Sequence, residues 1–146
     1  MKTNSFLFAC AALACLGPLT AADDEVVAGP KGGRLLETEP LKAEFFVTAD
    51  RRAEVIFYDA AMQPIAPTAQ TVAITAEADS GRVKLDMEQT PTGYISKSAL
   101  PEGDPYRVVV QVRPTADARP QNFRIQLDMQ ECAGCERAEY ACTCGH

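Results

Sequence analysis

The sequence predicts an all-β protein: an antiparallel β-sandwich, immunoglobulin-like in outline, of seven to eight strands, with a cysteine-rich C-terminal tail. Three observations predict it. Apolar and polar residues alternate with a period of two in several short segments after Arg34. Turn-forming Gly, Pro, Asp and Ser clusters separate those segments every ten residues or so, roughly the spacing of a sandwich. Finally, no segment of the body carries a helical hydrophobic period.

The sandwich is expected over residues 34–130. In residues 41–47 (LKAEFFV), Leu41, Ala43, Phe45 and Val47 share one face. Residues 53–58 (AEVIFY) are apolar on both faces, as a central strand would be. Two prolines in residues 59–67 mark a loop. Residues 71–78 place Val72, Ile74 and Ala76 inward. After the turn Asp79-Ser80-Gly81, residues 82–88 place Val83, Leu85 and Met87 inward and Arg82, Lys84, Asp86 and Glu88 outward, which completes a hairpin. Residues 92–98 form a weaker strand. Residues 106–113 (YRVVVQVR) and 122–130 (NFRIQLDMQ) are the clearest two, with a loop over 114–120 between them. The chain contains no Trp and no cysteine pair that could link the two sheets, so the hallmarks of a true immunoglobulin domain are missing and a small barrel stays open.

The N-terminus reads differently. Lys2, an apolar run over residues 5–19 broken by Gly17 and Pro18, and the small residues Thr20, Ala21 and Ala22 make residues 1–22 a secretory signal peptide. The run is shorter than the roughly 20 apolar residues of a membrane span. An uncleaved anchor helix and lipid attachment at Cys15 are the alternatives. The expectation is an exported protein, periplasmic or extracellular, with no transmembrane span in the mature chain. Residues 23–33 (DDEVVAGPKGG) read as a flexible lead-in.

Charge narrows the partners. With 14 basic and 20 acidic residues the net charge is −6, and removing residues 1–22 takes away one positive charge, Lys2. Phosphate backbones would be repelled, so no nucleic-acid partner is expected. The body also lacks the parts of a catalyst. It has no histidine or cysteine to pair as base and nucleophile, and Ser80, Ser96 and Ser98 lie in no nucleophile elbow. Asp86 and Glu88 share a face with Arg82 and Lys84, as a solvated surface does. Of the possible soft donors, Met87 and Met129 fall on inward sides, where packing is the default, and Met62 sits in a loop. GPKGG precedes a strand rather than a helix, so it is no phosphate loop. The chain is not expected to be an enzyme.

Chemistry concentrates in residues 131–146, whose last fifteen read CAGCERAEYACTCGH. Thiolates are soft donors, and a C-x2-C pair beside a C-x-C pair suits zinc or copper(I). The candidate metal ligands are Cys132, Cys135, Cys142 and Cys144, with His146 as an optional fifth donor. A continuous helix would leave Cys132 and Cys142 about 15 Å apart, so one ion requires residues 136–141 to reverse direction, by a single helical turn followed by a bend. Export argues for a rival, a tail stapled by disulfides, in which cross-pairing between the two dyads is easier than bridging within either. A third reading, thiol–disulfide exchange at Cys132 and Cys135, lacks the alternating βαβ context of such motifs.

The string GPKGGRLLE (residues 29–37), with the strand-rich stretch up to Arg113, resembles the small periplasmic N-terminal module of heavy-metal efflux membrane-fusion (adaptor) proteins. Lys31 occupies the position where those modules usually have histidine, and no long hairpin or pump-docking domain follows. The resemblance implies a stand-alone exported relative in the cell envelope that handles metal, with an efflux or metal-delivery partner. Together with the tail, it sets the expectation of an exported metal-binding protein acting in buffering, delivery or resistance.

Overall fold

The computed structural model describes residues 25–145. Residues 1–22, expected to be a signal peptide, with Cys15 among them, and His146 lie outside them. The described residues form nine strands: β1 (Arg34–Leu36), β2 (Lys42–Val47), β3 (Arg52–Tyr58), β4 (Thr71–Ala78), β5 (Gly81–Leu85), β6 (Met87–Thr90), β7 (Gly93–Ala99), β8 (Tyr106–Arg113) and β9 (Gln121–Leu127). They build two antiparallel sheets, ordered β1-β2-β3-β7-β6 and β5-β4-β8-β9. Setting β1 aside, that order is the A-B-E-D and C′-C-F-G pairing of an immunoglobulin-like sandwich. The doubly apolar β3 lies at the middle of its sheet, as its composition requires.

The core lies between the sheets. Alternation turns Ala43, Phe45 and Val47 of β2 onto Ile74 and Ala76 of β4 and Val108, Val110 and Val112 of β8, all of them buried. The T-shaped pair Phe57–Tyr94, with ring centroids 6.4 Å apart, closes one end.

Nine strands stand where seven to eight were expected, for two reasons. The three-residue β1 adds to the edge beside β2, pairing Arg34 with Phe45. The segment 82–88, expected to be one strand, breaks at Asp86 and changes sheets: β5 pairs with β4, and β6 pairs with β7. The Asp86 carbonyl accepts the Lys97 N–H at 2.8 Å, which holds the crossover. Val83, expected inward, is 39% exposed because β5 is an edge strand with a neighbour on one side only. β9 ends at Leu127 rather than at Gln130, and Met129 is partly buried beyond it.

The lead-in packs against the sandwich. Over its described part it is fixed to the fold by a buried carboxylate. Glu44 points away from the inter-sheet core yet is fully buried, because the 29–33 turn covers it. Its carboxylate accepts the Gly33 N–H at 2.7 Å, the Lys31 N–H at 3.1 Å and the Tyr58 hydroxyl at 2.6 Å. The close approach requires glycine: a Cβ on Gly29 would fall 2.2 Å from the Glu44 Cδ, and one on Gly33 2.2 Å from the Phe45 carbonyl oxygen. Burial, and then the neighbouring Glu44 carboxylate, push the Tyr58 phenol well above its ordinary range. Lys31 projects outward, pairing with Glu54 at 2.5 Å above the ring of Phe46.

Candidate metal centre

The tail is joined to the sandwich at its root. Asp104 accepts the Met129 N–H at 2.9 Å on one oxygen and holds the Arg51 guanidinium at 2.9 Å on the other. Beyond it, Glu131 and Ala138 pair across a short hairpin. Within that hairpin the Cys132 N–H donates to the Arg137 carbonyl at 2.7 Å, and the Glu136 N–H returns to the Cys132 carbonyl at 3.0 Å. Those two bonds fold Cys132–Cys135 into a tight knuckle with both sulfurs on its inside. Closing the knuckle puts Glu136 in the left-handed region, at φ 56°.

A 3-10 turn, Glu139–Ala141, then reverses the chain, as a shared site requires. Its anchor is Tyr140. The ring meets Phe45 edge-on, centroids 5.6 Å apart, and its hydroxyl accepts the Val47 N–H at 3.0 Å. Ala141 beside it is 1% exposed. With this turn fixed in the core, Cys142 and Cys144 swing back over the knuckle. The tail is therefore part of the domain core rather than an appendage to it.

The four sulfurs converge. All lie within 4.8 Å of one another, with Cys132–Cys144 at 3.8 Å, Cys135–Cys142 at 3.7 Å and Cys132–Cys142 at 3.0 Å. A tetrahedral ion with metal–sulfur bonds of about 2.3 Å sets its sulfurs about 3.8 Å apart. A disulfide needs about 2.05 Å, and no cysteine pair among the described residues is at bonding distance. The four cysteines are thus close enough to hold a metal ion. Cys132 is buried, Cys135 and Cys142 are half-buried, and Cys144 is exposed. Gly134 leaves room for the last: a Cβ there would meet the Cys144 sulfur at 2.8 Å.

Hydrogen bonding divides the sulfurs. The Cys135 thiol is drawn down to about 7, first by the backbone N–H of Arg137 and further by that of Thr143, against some opposition from burial. Cys142 goes up to about 12, chiefly through its hydrogen bond with Cys132, although the Cys144 N–H also reaches its sulfur at 3.3 Å. Cys144 is raised too, chiefly through its contact with Cys135. Without metal, the cluster is thiols arranged about one thiolate-prone sulfur. A cation held by the four sulfurs would replace those shared protons.

Of the five donors read from the sequence, the fold brings four together, and His146 lies outside the described residues. Sequence reasoning missed Tyr140 and Asp104, whereas Gly134 stands between Cys132 and Cys135 where the turn was expected to need it. Tyr140 had a signal: it is the one large apolar side chain among polar and small neighbours in residues 131–145. Asp104 had none, since its partners are distant in sequence. No family model, curated protein or solved structure matches the chain.

Proposed function

We propose that this is an exported metal-binding protein that buffers, delivers or sequesters a soft ion, zinc or copper(I), at the Cys132, Cys135, Cys142 and Cys144 thiolates. The observation that carries it is the convergence of four sulfurs within 4.8 Å, at separations near a tetrahedral edge. The acidic residues Glu131, Glu136 and Glu139 flank the cluster in sequence and favour the approach of a cation. Location in the envelope and an efflux or delivery partner belong to the same proposal, resting on the signal-like N-terminus and the GPKGGRLLE resemblance. The glycines of that string have a folding role here, closing on Glu44, so the resemblance speaks for the scaffold and the tail for the metal.

A disulfide-stapled tail is the second reading, favoured by the 3.0 Å approach of Cys132 and Cys142. Purification from the native compartment without reductant, with bound metal and thiol titre measured on the same sample, separates the two. One ion per chain with four recoverable thiols supports the metal reading. No metal and no thiol supports the staple.

A further inference from the structure

We infer that the centre is built for associative handover, with Cys144 as the ligand that leaves and Cys132 as the one that stays, to an acceptor that offers its own thiolate. The inference rests on the metal reading above and adds a direction to it. Three features of the site carry it.

The first is a gradient of access. Cys132 is 1% exposed, Cys135 and Cys142 are half-buried, and Cys144 is exposed. An incoming sulfur therefore meets least obstruction beside Cys144 and most beside Cys132. The second is the lining beside Cys144. Gly134 has no side chain where a Cβ would lie 2.8 Å from the Cys144 sulfur and 3.8 Å from that of Cys132. The bare backbone there lets the Cys144 sulfur shift without displacing a neighbour. The third is how each sulfur is held. Cys142 accepts the Cys144 N–H at 3.3 Å, and Cys135 sits in the knuckle closed by the Cys132–Arg137 and Glu136–Cys132 backbone bonds, so both are positioned by backbone. The contacts described for the Cys144 sulfur are with the other three sulfurs.

The exchange balances simply. The acceptor thiol gives up its proton as its sulfur bonds the ion, the ion's bond to Cys144 breaks, and the Cys144 thiolate takes up a proton. No electron moves, so the step needs neither oxidant nor reductant. A second acceptor sulfur then displaces Cys142 or Cys135, and Cys132 is released last.

The test uses the full mature chain loaded with one zinc ion, its stoichiometry first fixed by metal analysis. Iodoacetamide is added in limiting amount and the modified cysteines are mapped by mass spectrometry. In parallel, transfer to a synthetic peptide carrying a single C-x2-C pair is timed at rising peptide concentration. Handover predicts that Cys144 is alkylated first and that the transfer rate rises with peptide concentration. It also predicts that Cys144→Ser still binds one ion but transfers it about tenfold faster, a barrier change of about 1.4 kcal/mol. Cys132→Ser should instead lose stoichiometric binding. If Cys132→Ser does not fold, the alkylation order of the wild type decides alone. Alkylation beginning at Cys132, or a transfer rate independent of peptide concentration, overturns the inference and leaves the metal reading standing. Failure of the wild type to take up one ion overturns both.

Discussion

At the scale of single residues, the centre depends on two backbone positions that carry no sulfur. Gly134 faces Cys144 so closely that an added methyl would sit 2.8 Å from its sulfur. Gly134→Ala should therefore weaken zinc affinity about tenfold or more, roughly 1.4 kcal/mol, in competition with a chromophoric chelator. Its thermal midpoint without metal should stay within a degree or two of wild type, since the nearest neighbours of the added methyl are side chains of Cys144 and Cys132. Glu136 works in the opposite sense. Its left-handed backbone, φ 56°, costs a non-glycine residue about 1 kcal/mol. Glu136→Gly should stabilise the closed knuckle by up to that amount and tighten zinc binding in the same assay. Unchanged affinity in both variants would mean that the knuckle does not set the sulfur geometry.

Between elements, the turn of the tail and the lead-in each depend on a buried side chain, Tyr140 and Glu44. Tyr140 fixes the 3-10 turn to β2 through its hydroxyl and its contact with Phe45. Tyr140→Phe removes one hydrogen bond to a buried N–H and should cost about 1–2 kcal/mol in urea unfolding. Tyr140→Ala opens a cavity and should cost about 3–5 kcal/mol. On the other side, Glu44→Ala would leave two N–H groups and the Tyr58 hydroxyl without an acceptor, a loss of about 3 kcal/mol or more by the same measurement. A cost under 1 kcal/mol would show that the 29–33 turn is held by other contacts. Much of this layer could be read from sequence, and what could not has a physical cause. Period-two alternation located β4 and β8 over their full lengths, because both strands have neighbours on both sides and one face in the core. It failed at residues 82–88, where the pattern continues unbroken through Asp86 while the backbone changes sheets. Alternation reports which face is apolar, not which partner the strand pairs with. Glu44 was illegible for a similar reason: a carboxylate on an outward position reads as solvated until a distant glycine turn is seen to cover it.

For the molecule as a whole, the consequence is that the cysteine cluster and the fold are coupled. Tyr140 and Ala141 belong to the core that β2, β4 and β8 also share, so the cluster cannot open fully without disturbing the sandwich. Zinc at 100 times its dissociation constant should therefore stabilise the entire domain by about 2.7 kcal/mol, seen as one cooperative transition moving upward. Chelation should return it to the metal-free midpoint. Two separate transitions, with only the smaller one sensitive to metal, would mean that the tail unfolds by itself. The sign of the pH dependence follows from the thiols. Cys142 and Cys144 are raised, so in the metal-free chain both hold protons at neutral pH and release them on binding. Affinity should consequently rise with pH and fall as the solution is acidified. The cysteine spacing made the site itself legible, including the need for a reversal between Cys135 and Cys142. The means of that reversal, an aromatic anchor set into the core, depends on β2 and could not be read from the tail alone.

X-ray absorption at the zinc edge of the zinc-loaded protein tests the central claim most directly, by counting the atoms around the ion. Convergence of Cys132, Cys135, Cys142 and Cys144 predicts four sulfur neighbours at about 2.3 Å. A shell dominated by nitrogen or oxygen at about 2.0–2.1 Å, with two sulfurs or fewer, would contradict it.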